Sequence, residues 1–359
     1  MSNNNLLLTP LKAGDLQLPN RVVMSPLTRS RAEPGHVPGA LIAEYYAQRA
    51  GAGLIIAEAT MAAGDASAFI AEPGIYSPAQ VVGWKKVTDA VHAAGGRIAL
   101  QIWHPGRATH PLLNDGAQPV SSSDKPIRGD KIRTLQGSHD YPAPRRLATA
   151  ELAGIVTLFR AAAENARDAG FDAVQVHGAH GYLLDQFLRD GVNDRTDRYG
   201  GSLENRARLL FEVVDAAIEV FGAGRVGLRI SPLVAYNDMH DSDPRGLVQY
   251  VAAQFDRRGA AFLDLRHERH DAPEEQELAR IARRAYGGAL MRNGGFDQAS
   301  GEAALAAGAA DAIIYGKPFI ANPDLVERFR RGAPLAPVDF ATLYTPGPQG
   351  YTDYPALAA

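Results

Sequence analysis

Eight short β-branched runs alternate with eight longer alanine-rich runs, and no other feature constrains the fold of this chain as strongly. The extended runs are Arg21–Met24, Gly53–Ala57, Arg97–Gln101, Asp172–His177, Arg225–Ile230, Ala261–Leu265, Ala289–Met291 and Asp311–Tyr315. The helical runs are Ala40–Arg49, Pro78–Ala94, Thr149–Ala169, Leu203–Phe221, Arg245–Arg258, Glu274–Ala285, Asp297–Ala307 and Pro323–Arg330. Parallel strands need a crossover between them, and an amphipathic helix is the usual one. Eight such units predict closure into an α/β fold, a single (β/α)8 TIM barrel occupying residues 1–359 as one domain. An open doubly wound sheet is the competing arrangement. Glycines such as Gly170, Gly222, Gly259 and Gly308 end helical runs, where a left-handed stop is needed. An N-terminal β-hairpin is expected ahead of the barrel, since Leu16–Leu18 follows the turn signal Gly14–Asp15.

One connection is long. Residues His104 to Ala148, rich in Pro, Gly and Ser, lie between the third strand and its helix. They leave the C-terminal end of a barrel strand, where barrel active sites sit, so a lid or binding loop is expected. Beyond Pro337 no helical period continues. Tyr344, Tyr351 and Tyr354 are spaced through this tail, which predicts that it packs over the barrel mouth.

Charged residues make up 21% of the chain and the formal net charge is −3, which gives no electrostatic case for nucleic acid or an anionic membrane as partner. The absence of cysteine excludes disulfides, zinc–thiolate sites, iron–sulfur clusters and a thiolate nucleophile. No stretch approaches the roughly 20 apolar residues of a membrane helix, and Met1–Pro10 lacks the basic start of a secretory leader. A soluble cytoplasmic protein is expected, a monomer or homodimer acting on a small molecule.

Strand parity places polar groups where a barrel core excludes them. If the aliphatic residues of Ile98–Trp103 face the helices, Gln101 and Trp103 turn inward. The same alternation turns Arg229 and His177 inward on their strands. A buried guanidinium is costly without an anion or strong acceptors. Asp264 on the next strand has the parity to pair with it, and an aromatic ligand with polar edges would satisfy Gln101, His177 and Arg229 together. Gly294 and Gly295 follow the seventh strand, and Gly316 and Lys317 follow the eighth. In barrels these loops commonly hold a phosphate, because glycine lets backbone N–H groups approach and a helix start favours an anion. Two apparent motifs carry no weight. Gly222–Gly227 matches a dinucleotide fingerprint but runs from helix to strand, the wrong order. His267 and His270 are three apart, not the spacing of a zinc protease helix.

The sequence resembles the old yellow enzyme family of FMN-dependent ene-reductases, in a bacterial branch similar to N-ethylmaleimide and nitrate-ester reductases. The resemblance runs from about Leu6 to Pro355. It rests on Pro19-Asn-Arg-Val-Val-Met-Ser-Pro-Leu-Thr-Arg-Ser-Arg31, Gln101-Ile-Trp-His104, His177-Gly-Ala-His-Gly-Tyr-Leu-Leu-Asp-Gln-Phe-Leu188, Asn193 to Arg206, and Gly350-Tyr-Thr-Asp-Tyr-Pro355. It implies FMN as cofactor and NADPH or NADH as reductant, with an electron-poor alkene as substrate. Pro26, Leu27, Thr28, Ala59, Gln101, His177 and Arg229 would line the flavin ring. Gly294, Gly295, Gly316 and Lys317 would hold its phosphate. His177 and His180 would grip the substrate's oxygen, Tyr182 would deliver a proton, and Phe69, Trp103 and Tyr351 would shape the pocket.

The chain departs from the family pattern in places. Lys317 stands where the usual residue is Arg, losing bidentate geometry. Phe69 falls where many relatives carry Tyr, which favours less polar substrates. The loop Arg266–Asp271 is unusually charged and has no assigned role. Two other readings stay open: a flavin-free phosphate-binding aldolase or isomerase, although no barrel strand carries a lysine for a Schiff base, and a flavin-binding protein without turnover.

Overall fold

A computed structural model describes residues 5–358. Eight parallel strands close a barrel in the order β3 (Val22–Met24), β4 (Leu54–Met61), β5 (Ile98–Trp103), β10 (Ala173–Gly178), β11 (Val226–Ile230), β12 (Phe262–Arg266), β13 (Ala289–Asn293) and β14 (Ala312–Tyr315), and β14 pairs back onto β3. Each expected strand is present, most of them shifted or lengthened by a residue or two. The surrounding helices are α1 (Ala40–Ala47), α2 (Pro78–Ala93), α3 (Leu152–Asp168), α6 (Arg208–Phe221), α7 (Pro244–Asp256), α8 (Pro273–Ala285), α9 (Gln298–Ala306) and α11 (Leu325–Arg331). Local chemistry sets their starts. Ser77 caps α2 through a reciprocal box with Gln80, with Pro78 at the first helical position. Asp243 accepts from Gly246 N ahead of Pro244.

Three helical segments depart from expectation. The run Leu203–Phe221 breaks at Ala207 into α5 (Leu203–Arg206) and α6. Two short helices, α4 (Leu183–Leu188) and α10 (Lys317–Ala321), were not anticipated, being shorter than a periodic signal can reveal.

Two apolar layers result. Between strands and helices lies a continuous cluster including Leu100, Val174, Leu228, Leu263 and Leu290. Inside the barrel, Val23, Leu54, Ile56, Ala99, Ala173, Phe262, Met291 and Ile314 fill the lower half. The hairpin of β1 (Leu11–Ala13) and β2 (Leu16–Leu18) adds Ala13, Leu16 and Leu18 to this inner cluster and plugs the bottom of the barrel. The plugged lower half leaves the C-terminal mouth as the open end.

The connection after β5 carries its own structure. β6 (Val120–Ser121) pairs with β9 (Arg145–Arg146), and β7 (Lys131–Thr134) forms a hairpin with β8 (Gly137–Asp140). Buried Arg107 anchors it, donating to the carbonyls of Lys125 and Asn237 at 2.9 Å each. At the other end of the chain, Arg29 and Arg31 donate to the carbonyls of Leu343, Gly350, Thr342 and Gln349 and sew the tail to the barrel.

Candidate active site

Four inward residues from four adjacent strands form a polar layer above the apolar plug. Gln101 Nε2 donates to Gln175 Oε1 at 2.7 Å, and Gln175 Nε2 donates to Asp264 Oδ2 at 3.1 Å. Arg229 Nε lies 3.2 Å from the same carboxylate oxygen. The register aligns His177 with Arg229 and Arg229 with Asp264, so these groups share one level. Gln175 escaped the sequence reading although it has the parity of His177; the alternation that exposed one implied the other.

The layer is not self-sufficient. Among the described residues, buried His177 Nδ1, Asp264 Oδ1 and Arg229 Nε have no hydrogen-bond partner; the Arg229–Asp264 approach is an ion pair without hydrogen-bond alignment. Burial pushes the Asp264 carboxyl up against the pull of Arg229, and burial lowers the Arg229 guanidinium. Such orphaned groups are rare unless a ligand completes them.

Above the layer, aromatic rings converge. His177 and His180 have ring centroids 5.5 Å apart, His177 and Tyr182 5.2 Å, and Tyr182 and Trp103 5.1 Å. The backbone between them is held in an uncommon shape. His180 has φ +57° and Gly181 φ +70°. The His180 amide donates to Ser231 Oγ at 2.8 Å, its carbonyl accepts from Asn237 Nδ2 at 2.8 Å, and the Gly181 amide donates to Asp185 Oδ2 at 2.8 Å. A left-handed non-glycine residue persists only where its surroundings over-determine it. Ser231, Asn237 and Asp185 do so here; Ser231 and Asn237 lie in a loop and gave no signal in the sequence, and Asp185, inside the His177–Leu188 motif, had no assigned role.

Burial, reinforced by the charge of Arg229, holds both imidazoles well below the usual histidine range. Both rings are therefore neutral at neutral pH, each with one N–H to donate. Burial pushes the Tyr182 hydroxyl well above the usual tyrosine range, with Tyr236 and Tyr141 adding to it, so it stays protonated.

A cavity of about 440 Å³ opens over Tyr182. Its walls come from Phe69, Tyr236 and Asn237, from the β7–β8 hairpin (Ile132, Arg133), and from the tail (Tyr344). The long connection and the tail both reach the mouth.

The other expected site residues divide into those brought together and those not. Pro26, Leu27 and Thr28 follow β3 directly, and Ala59 packs in one cluster with Trp103 and Tyr182. Gly295, at φ +78°, has open space where a side chain would project. A side chain at Gly294 would meet His267 Cβ and the His270 amide, so only glycine fits there. Gly316 begins α10. Trp103 is fully buried and backs the cavity through Phe69 and Tyr182 instead of lining it. Two placements differ from expectation. The Tyr351 ring is fully buried, stacked on Tyr45 at 4.0 Å with Arg31 4.8 Å away, so it anchors the tail and does not wall the cavity. Lys317 is exposed, its ammonium 5.3 Å from the Phe340 ring; among the described residues no hydrogen bond ties it to the glycine pair. An exposed aromatic satisfies a lysine cation at low cost, which explains the outward pose.

The orphaned polar layer, the aromatic walls and the glycine pair, open at Gly295, fit a planar ring with polar edges and a phosphate tail, as FMN has. Fold and site together define a flavin-dependent barrel oxidoreductase. The comparisons agree. Residues 6–336 match the family described as NADH:flavin oxidoreductase / NADH oxidase. A probable flavin mononucleotide-dependent alkene reductase of Leishmania infantum is 47% identical, with 98% of each chain covered. The 12-oxophytodienoate reductase 7 of Oryza sativa subsp. japonica is also 47% identical, covering 98% of this chain and 94% of its own. Morphinone reductase in complex with tetrahydroNAD superposes with a TM-score of 0.94 at 48% identity, 98% of both chains covered. The old yellow enzyme homologue from Zymomonas mobilis gives 0.95 at 41% identity, covering 98% and 99%. The chain belongs to the NADH:flavin oxidoreductase family of old yellow enzyme homologues, and it is an NAD(P)H-dependent FMN oxidoreductase.

Proposed function

We propose that this enzyme reduces electron-poor C=C bonds of enones, maleimides or nitroalkenes, with nitrate esters as further oxidants, in one site used alternately by nicotinamide and alkene. The observation that carries the reading is the convergence of the His177, His180 and Tyr182 rings, with Tyr182 lining the cavity, beside the orphaned polar atoms of His177, Arg229 and Asp264. FMN, when bound, supplies the hydride. Gln101 and Arg229 would meet the polar edge of the ring, Pro26, Leu27, Thr28 and Ala59 its remaining borders, and the backbone at Gly294, Gly295 and Gly316 its phosphate.

The protein's own part is electrostatic and acid–base. As hydride reaches the β-carbon, negative charge builds on the carbonyl or nitro oxygen. Two neutral imidazole N–H groups aimed at that oxygen stabilise it, each worth about 3 kcal/mol. Because burial keeps protons off both rings, they donate hydrogen bonds without surrendering a proton. Tyr182, protonated and beside His177, is placed to deliver the proton to the α-carbon. Phe69 and Tyr236 give the cavity a largely apolar wall that selects for unsaturated carbonyl compounds of low polarity.

Half-reactions test the assignment. Tyr182→Phe should slow alkene reduction by about 10²-fold or more while NAD(P)H oxidation by the flavin proceeds at nearly the wild-type rate. Stopped-flow absorbance of the flavin separates the two steps, and equal loss in both would remove Tyr182 from the proton-donor role.

A further inference from the structure

The charged loop that follows β12 begins inside the barrel. Phe262 and Asp264 face inward on β12, so Arg266, two residues on, takes the same face one level higher. The register sets Arg266 against Asn293, whose next two residues are the glycine pair. Its guanidinium is mostly covered, with 22% of the side chain exposed. Nη1 is buried with no partner, and the nearest carboxylate, Glu268, is 4.0 Å from Nη2.

The surroundings compensate this charge only in part, through Glu268 at the limit of ion-pair range and through Glu275, whose carboxyl burial pushes up and Arg266 pulls down. The field of Arg266 also reaches His180, Arg229, Asp264 and His267. Asp264 is the one carboxylate on the inner face here, and it is already paired with Arg229 and Gln175. Asp264 is thus taken up by Arg229, and no carboxylate meets the buried Nη1 of Arg266 among the described residues. A buried guanidinium nitrogen without a partner is strongly destabilising unless an anion meets it. The rest of the loop is braced against the glycines: the His270 amide and Nδ1 both contact the Gly294 carbonyl, at 2.9 and 3.0 Å, and the His267 amide donates to the Asn293 carbonyl at 2.8 Å. Loop, glycine pair and Arg266 form one unit, whereas Lys317 is turned onto Phe340.

We propose that Arg266, not Lys317, supplies the fixed positive charge that binds the phosphate of FMN, with the glycine pair supplying the N–H donors. This rests on the cofactor placement above and adds a residue to it. The loop Arg266–Asp271 thereby gains a role: it carries the cation and holds the cradle in shape.

Titration of the deflavinated full-length chain with FMN and with riboflavin, which lacks the phosphate, tests this through quenching of flavin fluorescence. Arg266→Gln should raise the Kd for FMN by roughly 10- to 100-fold, the range of a charge-assisted phosphate contact, and leave the Kd for riboflavin unchanged. Lys317→Ala should raise the FMN Kd by less. Equal loss for both flavins would place Arg266 against the ring and overturn the proposal, as would unchanged FMN affinity. Arg266→Lys, which keeps the charge, guards against misfolding of the glutamine variant: it should lose part of the FMN affinity and none of the riboflavin affinity, and parallel losses overturn the proposal. If the wild-type chain binds neither flavin, the cofactor placement itself fails, which is a separate result from wild-type binding that is indifferent to Arg266.

Discussion

Glu58 shows how much one buried side chain can control. It is fully buried on β4, accepting from the Arg29 amide at 3.1 Å and the Tyr46 hydroxyl at 3.2 Å. Burial raises its carboxyl to about 7, although Arg29 opposes the shift. Unfolded, it titrates near 4.5. A raised folded value means the folded state binds the proton more tightly, so this contribution to stability is fully present below about 4.5 and is lost as pH rises through 7. The shift corresponds to about 3 kcal/mol. Glu58→Gln should remove this dependence, so that the variant gains on wild type between about pH 5 and pH 8 in urea midpoints. Parallel midpoint curves would show that Glu58 does not titrate in this window. His177 and His180 act in the opposite sense. Their depressed folded values give stability that is present above the ordinary histidine range and lost as pH falls below it. None of Glu58's setting was legible in the sequence, because its partners Arg29 and Tyr46 come from different segments.

At the scale of elements, the turn between β10 and α4 carries His180 and Tyr182 in a constrained backbone. A side chain at Gly181 would meet Met239 Cγ at 2.6 Å, Asn237 Cβ at 2.7 Å and the Tyr236 carbonyl at 2.9 Å, in a left-handed backbone. Gly181→Ala should therefore cost about 1–3 kcal/mol of stability and, by shifting His180 and Tyr182 apart, lower the alkene half-reaction by at least about tenfold. Thermal melts and single-turnover rates check the two effects, and a folded variant with wild-type rates would show that the turn tolerates relaxation. The strands were legible because period-2 alternation survives burial, and it marked Gln101, His177 and Arg229 as inward. What escaped were contacts that alternation cannot encode: the Phe340 ring under Lys317, the Tyr45 stack that takes Tyr351 out of the cavity, and the loop residues Ser231 and Asn237. The charged loop after β12 was visible as an anomaly but acquired meaning only from the register of Arg266 with Asn293.

Across the whole molecule, the two ends of the barrel have different duties. The lower end is closed by Leu16 and Leu18 against Phe262, Ala173 and Ala289. Leu18→Ala should cost about 2–5 kcal/mol and leave the flavin spectrum and half-reaction rates of the folded enzyme unchanged; altered rates would mean that the plug communicates with the mouth. The upper end is finished by segments from the lid and the tail.

The seam between β14 and β3 has a consequence for how the chain comes into being. The first barrel strand finds one of its two neighbours only in the last, and Arg29 and Arg31 find their acceptors in residues 342–350. Leu6 and Leu7 wait in the same way for the Glu302 carboxylate. During synthesis the opening strand can pair with β4 early, yet its other edge emerges roughly 290 residues ahead of β14 and stays unpaired while the ribosome completes nearly the whole barrel, the kind of exposure that recruits chaperones.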